Sequence, residues 1–139
     1  MKRLIMFLIV LPVFGYYSIA QDTNTKRPGG AEITWEKGIY DFGDIMEGEK
    51  VEHTFQFTNT GSKELVITNV EVTCGCTTPK GWPRDPIAPG GSGKLTVAFN
   101  STGKIGKQNK VITVTSNSVG SVNQVMFSAL VLEKKDSNH

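Results

Sequence analysis

The chain has 139 residues, 38% of them hydrophobic, 20% charged and 9% aromatic, with 15 glycines. That is about one average domain, and it excludes a low-complexity chain or a bundle of long helices. Lys and Arg number 15 against 13 Asp and Glu. Setting aside Lys2 and Arg3, which fall in an N-terminal segment that reads as removable, leaves thirteen of each sign. A neutral chain offers no electrostatic reason to bind nucleic acid or a membrane surface.

Met1-Lys2-Arg3 is a short basic start, followed by an apolar stretch from Leu4 to Val13 broken at Pro12. Ser18-Ile19-Ala20 then places small residues at the −3 and −1 positions of a cut between Ala20 and Gln21. This is the anatomy of a secretory signal peptide over residues 1–20. A membrane anchor needs roughly 20 apolar residues, and this stretch is too short, so no membrane span is expected in the mature chain. The protein is expected to be exported, to the periplasm, the cell surface or the medium. Residues 21–31 are polar and rich in Asn, Lys, Pro and Gly, and read as a disordered spacer. Residues 133–139 read as a flexible charged tail. Between them, residues 32–132 form one domain, since about 100 residues bury one adequate core and not two.

Within that domain the hydrophobic period is two. Ile33 and Trp35 flank Thr34 in a short opening strand. Tyr40 and Phe42 alternate and then shift register across Gly43, as at a bulge. Val51, His53, Phe55 and Phe57 share one face, with Glu52, Thr54, Gln56 and Thr58 on the other. Leu65 and Ile67 continue the pattern, and Val70 and Val72 resume it on the opposite parity, which implies an irregularity at Thr68-Asn69. Leu95, Val97 and Phe99 alternate, as do Ile112 and Val114, and Val125, Phe127, Ala129 and Val131. No window carries a helical stripe. Turn residues punctuate these runs at Glu47 to Glu49, Asn59 to Ser62, Pro79 to Gly81, Pro89 to Gly91 and Thr102 to Lys104. Short strands at such spacing predict an all-β antiparallel sandwich, with a small closed barrel as the alternative.

Several motifs occur in fixed order: Asp41-Phe42-Gly43-Asp44-Ile45, Phe55-Gln56-Phe57-Thr58-Asn59-Thr60-Gly61, Leu65-Val66-Ile67, Cys74-Gly75-Cys76-Thr77-Thr78, Ile87-Ala88-Pro89-Gly90 and Val114-Thr115-Ser116-Asn117. This set resembles the bacterial family called domain of unknown function 1573, itself similar to the Ig-like sandwiches of Hydin-type and major-sperm-protein domains. The likeness runs from Trp35 to Val131. It implies an Ig-like β-sandwich of about seven to eight strands in an exported protein, and it carries over no catalytic residue.

Most of these motif residues have a structural reading. Gly43 suits a bend that needs positive φ or a close backbone approach, and Asn59 and Gly61 suit a turn for the same reason. Pro89-Gly90 matches the centre of a type II turn. Phe42, Phe55, Phe57 and Phe99 are expected between the sheets, each costing about 3–5 kcal/mol if cut to alanine.

Cys74-Gly75-Cys76 is the feature with evident chemistry. An exported chain with two cysteines points to a local disulfide. On an extended strand their Cα atoms would lie about 6.5–7 Å apart, at the edge of what a bridge spans, so Gly75 is expected to help the backbone fold tighter. Redox exchange, capture of copper(I) by two thiolates, an intermolecular disulfide and simple packing all remain open. No cofactor is expected. His53 lies on the inward parity of its strand and is expected to be a hydrogen-bonded histidine at a sheet edge. Ser62, Ser92 and Asp41 match a catalytic set by type, with no elbow motif to support them. Asp41, Asp44, Glu47 and Glu49 lack the spacing of a calcium loop. Trp82 is either a loop anchor for a partner or part of the core. The function expected is a non-catalytic exported module that binds a protein or cell-envelope component, with a thiol-based role of Cys74 and Cys76 as the alternative.

Overall fold

The computed structural model describes residues 29–135. The expected signal segment, its cut between Ala20 and Gln21, most of the spacer and the last four residues of the tail lie outside the described residues. Eight strands follow one another: β1 (Ile33–Trp35), β2 (Ile39–Met46), β3 (Lys50–Asn59), β4 (Ile67–Val72), β5 (Thr77–Gly81), β6 (Ser92–Asn100), β7 (Gly106–Ser116) and β8 (Val122–Leu132). They form two four-stranded sheets, β1-β3-β6-β5 and β2-β8-β7-β4. This is the Ig-like sandwich anticipated.

The period-two pattern explains the core. Odd positions of β3 and β6 and of β8 point inward, and even positions of β7 meet them. Phe55, Phe57, Phe99 and Phe127 are each no more than 2% exposed, with Leu65, Leu95, Ile112 and Val114 between them. Burying each such side chain contributes about 1.5–3 kcal/mol relative to leaving it in water. Phe42 differs from expectation. It is half-buried at the margin of the core and meets the edge of Phe127 at 5.3 Å between centroids.

Three details depart from the sequence reading. The sandwich is not wholly antiparallel, because β2 runs parallel to β8. The chain leaves β1 in one sheet and crosses at Glu36–Gly38 to the other, and period two is blind to strand direction. Pro79 to Gly81, read as a turn, belongs to β5 and pairs with β6. Proline is tolerated there because β5 is an edge strand. Finally, Ala31, placed at the end of the spacer, is 2% exposed and bridges to Ser118, so the ordered body begins before β1.

The two anticipated irregularities are present. Register shifts between Asp41 and Asp44 in β2 and between Ile67 and Asn69 in β4. Gly43 takes φ +71° at the first, a conformation that favours a residue without a Cβ.

Candidate functional site

Strands β3 and β6 run antiparallel from Lys50–Asn100 at one end to Thr58–Ser92 at the other. The motif residues sort into groups at these opposite ends, about 30 Å apart at a rise of about 3.4 Å per residue.

The Asn59 end is architectural. Asn59 is fully buried, and its Oδ1 accepts from the backbone N–H of Gly61 at 3.0 Å and Glu32 at 3.3 Å. Its Nδ2 donates to the carbonyls of Lys63 at 2.8 Å and Ile87 at 2.9 Å. Gly61 packs so closely on the Gly30–Glu32 backbone that a Cβ there would overlap it. Its need is close approach, not positive φ. Pro89-Gly90 forms the expected turn, with Gly90 at φ +80° and Gly91 N–H donating to Ala88 C=O at 2.8 Å.

The other end carries the chemistry. The chain leaves β4, turns through Cys74–Cys76 and enters β5. Thr77 N–H donates to Cys74 C=O at 3.2 Å, and Asn100 N–H donates to Cys76 C=O at 2.8 Å. This turn brings the two cysteine Cα atoms to 5.3 Å, and Cys74 and Cys76 are joined in a disulfide. Gly75 has no positive φ, and a Cβ on it would meet nothing within 4 Å. The tightening expected of Gly75 therefore comes from the backbone turn and not from glycine's extra freedom.

Both cysteines are half-buried, while Thr77 is 2% exposed with its Oγ1 3.8 Å from Cys74 Sγ and 4.0 Å from Cys76 Sγ. Cys76 opens onto a groove of about 440 Å³ across β3, β6 and β5, lined by Lys50, Glu52, Thr78, Lys80 and Ala98 among others. Glu52 and Lys80 form an ion pair across it. Lys50 adds a further positive charge on the same surface.

The remaining candidates are not brought together. His53 is on β3, an inner strand, and is held by stacking on Tyr40 at 3.6 Å and 10° instead of by the hydrogen bond expected. Burial holds its imidazole below the ordinary histidine value. Ser62 Oγ accepts from Gly30 N–H, Ser92 lies opposite Thr58 on β3, and Asp41 accepts from Gly43 N–H at 2.9 Å. That bond and one from Ser128 hold the Asp41 carboxyl below its usual range. Glu47 and Glu49 accept from the backbone N–H of Gly103 and Met46, each at 2.7 Å. The acidic residues therefore cap loops, and among the described residues no three His, Cys, Asp or Glu side chains gather as a metal would need. Trp82 is half-buried against the core with the Arg84 guanidinium 3.8 Å over its ring.

The structural role of Ser101 was not foreseen from the sequence. It is fully buried, and its hydroxyl lies within bonding distance of the carbonyls of Glu49 at 2.7 Å and Met46 at 3.1 Å, tying the β2–β3 turn to β6. A serine after a strand carries no signal of such a partner 52 residues away.

The fold recurs in solved structures. A protein of unknown function from Porphyromonas gingivalis W83 superposes at TM-score 0.61 with 20% identity, over 80% of this chain and 51% of that one. The ASH/PapD-like domain 7 of human CEP192 gives 0.58 with 12% identity, over 96% of this chain and 100% of that one. The secreted serine protease VesC from Vibrio cholerae gives 0.58 with 16% identity, over 78% of this chain and 24% of that one. The chain thus spans about a quarter of VesC and half of the Porphyromonas protein. At these identities the likeness is one of fold. No curated protein matches in sequence. The model of the family described as "Protein of unknown function (DUF1573)" matches residues 33–131, nearly the whole described body, and the chain belongs to that family.

Proposed function

We propose that the chain is an exported, non-catalytic Ig-like module that binds a protein or cell-envelope partner through the outer face of β2-β8-β7. The observation that carries this reading is a row of apolar side chains at one end of that face. Met46 lies beside Leu132, and Leu130 lies between Asp44 and Lys107. Met46, Leu130 and Leu132 are about 40% exposed. Apolar surface edged by single charges of both signs is the composition of a recognition patch. The basic start, apolar run and small residues before Gln21 support export. Trp82, once a candidate anchor, is packed inward and leaves this face as the better surface.

The test is cross-linking in the native host. A photoreactive residue at Leu130 or Leu132 is expected to capture one discrete partner, and the same residue at Thr113, farther along the face, is not. Leu130→Asp should abolish capture in a protein that stays folded, since the side chain already faces water. Equal capture at all three positions overturns the binding face. Cell fractionation with N-terminal sequencing tests export, with Gln21 expected as the first residue and an intact Met1 in the cytoplasm as the contrary result.

A further inference from the structure

The disulfide asks for a role that stability does not supply. A bridge across a single intervening residue removes little freedom from the unfolded chain, and the turn it spans is already held by the backbone bonds from Thr77 and Asn100. Both cysteines are half-buried, and Cys76 lines the groove between β3, β6 and β5, whereas Cys74 does not. That groove is open along the sheet face, with Ala98 in its lining and Lys50 and the Glu52–Lys80 pair on its rim. An extended polypeptide fits such a surface, with its backbone over the small residues and its side chains among the charges.

We propose that the Cys74–Cys76 disulfide is a donor in thiol–disulfide exchange with a polypeptide dithiol that lies in this groove. Displacement at sulfur requires the incoming thiolate to approach opposite the sulfur that leaves. Access from the groove therefore selects Cys76 as the sulfur attacked and Cys74 as the one released. The first substrate thiolate bonds to Cys76 Sγ, the disulfide breaks, and its electron pair stays on Cys74 Sγ. The Thr77 hydroxyl, 3.8 Å from that sulfur, donates to the new thiolate. The second substrate thiolate then attacks the substrate sulfur of the mixed disulfide, and Cys76 departs as a thiolate. The substrate is oxidised by two electrons to a disulfide, and the chain is reduced to a dithiol. The two protons that the substrate thiols gave to water are returned to the cysteines. Lys50 on the groove favours the thiolate form of an incoming cysteine. One chain delivers one disulfide and is consumed, so the reading of a module without turnover stands, and the exchange does not depend on the outer face of β2-β8-β7.

The test mixes the purified oxidised protein with a reduced synthetic peptide bearing two cysteines and follows both partners by alkylation and mass. The reference oxidant is a free cyclised peptide spanning Thr73–Thr78. The protein is expected to form one peptide disulfide per chain, about tenfold faster than the reference, because the groove supplies both positioning and charge. Lys50→Ala and Thr77→Val should each remove part of that advantage with the circular dichroism unchanged. Cys74→Ser, challenged with the oxidised peptide, should accumulate a mixed disulfide on Cys76 faster than Cys76→Ser does on Cys74. A protein no faster than the cyclised peptide, or a rate indifferent to Lys50→Ala, overturns the proposal and leaves the bridge as a loop clip. Loss of partner capture at Leu130 with exchange intact would fault only the binding face.

Discussion

Tyr40 of β2 and His53 of β3 stack face to face, 3.6 Å between centroids, although the two strands belong to opposite sheets. Phe42 and Phe55 meet the same imidazole edge-on, at 6.4 and 4.6 Å. The histidine thus closes the core where the chain crosses from one sheet to the other. An imidazolium there would trade water for aromatic rings, and this desolvation lowers the affinity of His53 for its proton.

A pH dependence of stability follows. The folded His53 binds its proton less tightly than the unfolded one, whose value is the ordinary 6.5. Between the two values the unfolded chain carries more protons, so stability rises with pH through that window. It is complete above about pH 6.5 and lost as pH falls toward the lowered value. Asp41, also held low, acts in a separate window below its ordinary 3.8. Urea titrations between pH 7.5 and 5 should show declining stability for the native protein and a flatter profile for His53→Phe, which keeps the stack and removes the proton. An equal slope in the variant would assign the effect elsewhere.

Asn59 makes a sharper prediction. Its amide satisfies two N–H groups and two carbonyls drawn from three separate loops. Asn59→Ala leaves these groups without partners in a dry interior, at about 1–3 kcal/mol for each one left unsatisfied. A loss of about 3 kcal/mol or more is expected from denaturant midpoints. Asn59→Asp should be no better, because a carboxylate would face the Lys63 and Ile87 carbonyls.

These residues also show what the sequence discloses. The strand of Val51 to Phe57 was legible because alternation against a buried sheet is a local pattern. The bulge at Gly43 and the turn at Pro89-Gly90 were legible because unusual φ selects few residue types. Asn59 was recognisable as a turn residue, but its bonds to Glu32 and Ile87, 27 and 28 residues away, are tertiary. The direction of β2, the pairing of Pro79 in β5 and the stacking of His53 were hidden for the same reason. At the candidate site, the Cys74–Cys76 pairing was one reading among several, and the groove that gives Cys76 its exposure comes from β3 and β6. Local sequence carries pattern and backbone conformation, and neighbours across a sandwich come only with the fold.

Two glycines separate these effects experimentally. A Cβ at Gly61 would run into the Gly30–Glu32 backbone, which cannot yield as a flexible side chain would. Gly61→Ala should cost at least about 1–3 kcal/mol, as overpacking does. Gly75→Ala meets open space without backbone strain and should fall within about 0.5 kcal/mol of the native protein. Thermal melts of the two variants side by side check both. A costly Gly75→Ala would show that the cysteine turn depends on glycine after all.

As a stabilising element the Cys74–Cys76 disulfide is weak. Closing a loop of three residues removes unfolded-state entropy worth about 1.5 kcal/mol in the chain-entropy relation, less than the loss expected at Asn59. The double variant Cys74→Ser with Cys76→Ser should therefore fold, keep the β5 pairing that Thr77 and Asn100 hold, and lose only about that amount. Denaturant unfolding with and without reductant measures it, and the reduced native protein should fall at the same midpoint as the double variant. Loss of the fold on reduction would make the bridge structural. It would also remove the premise of the exchange proposal, since a donor must survive the loss of its disulfide in order to release the product.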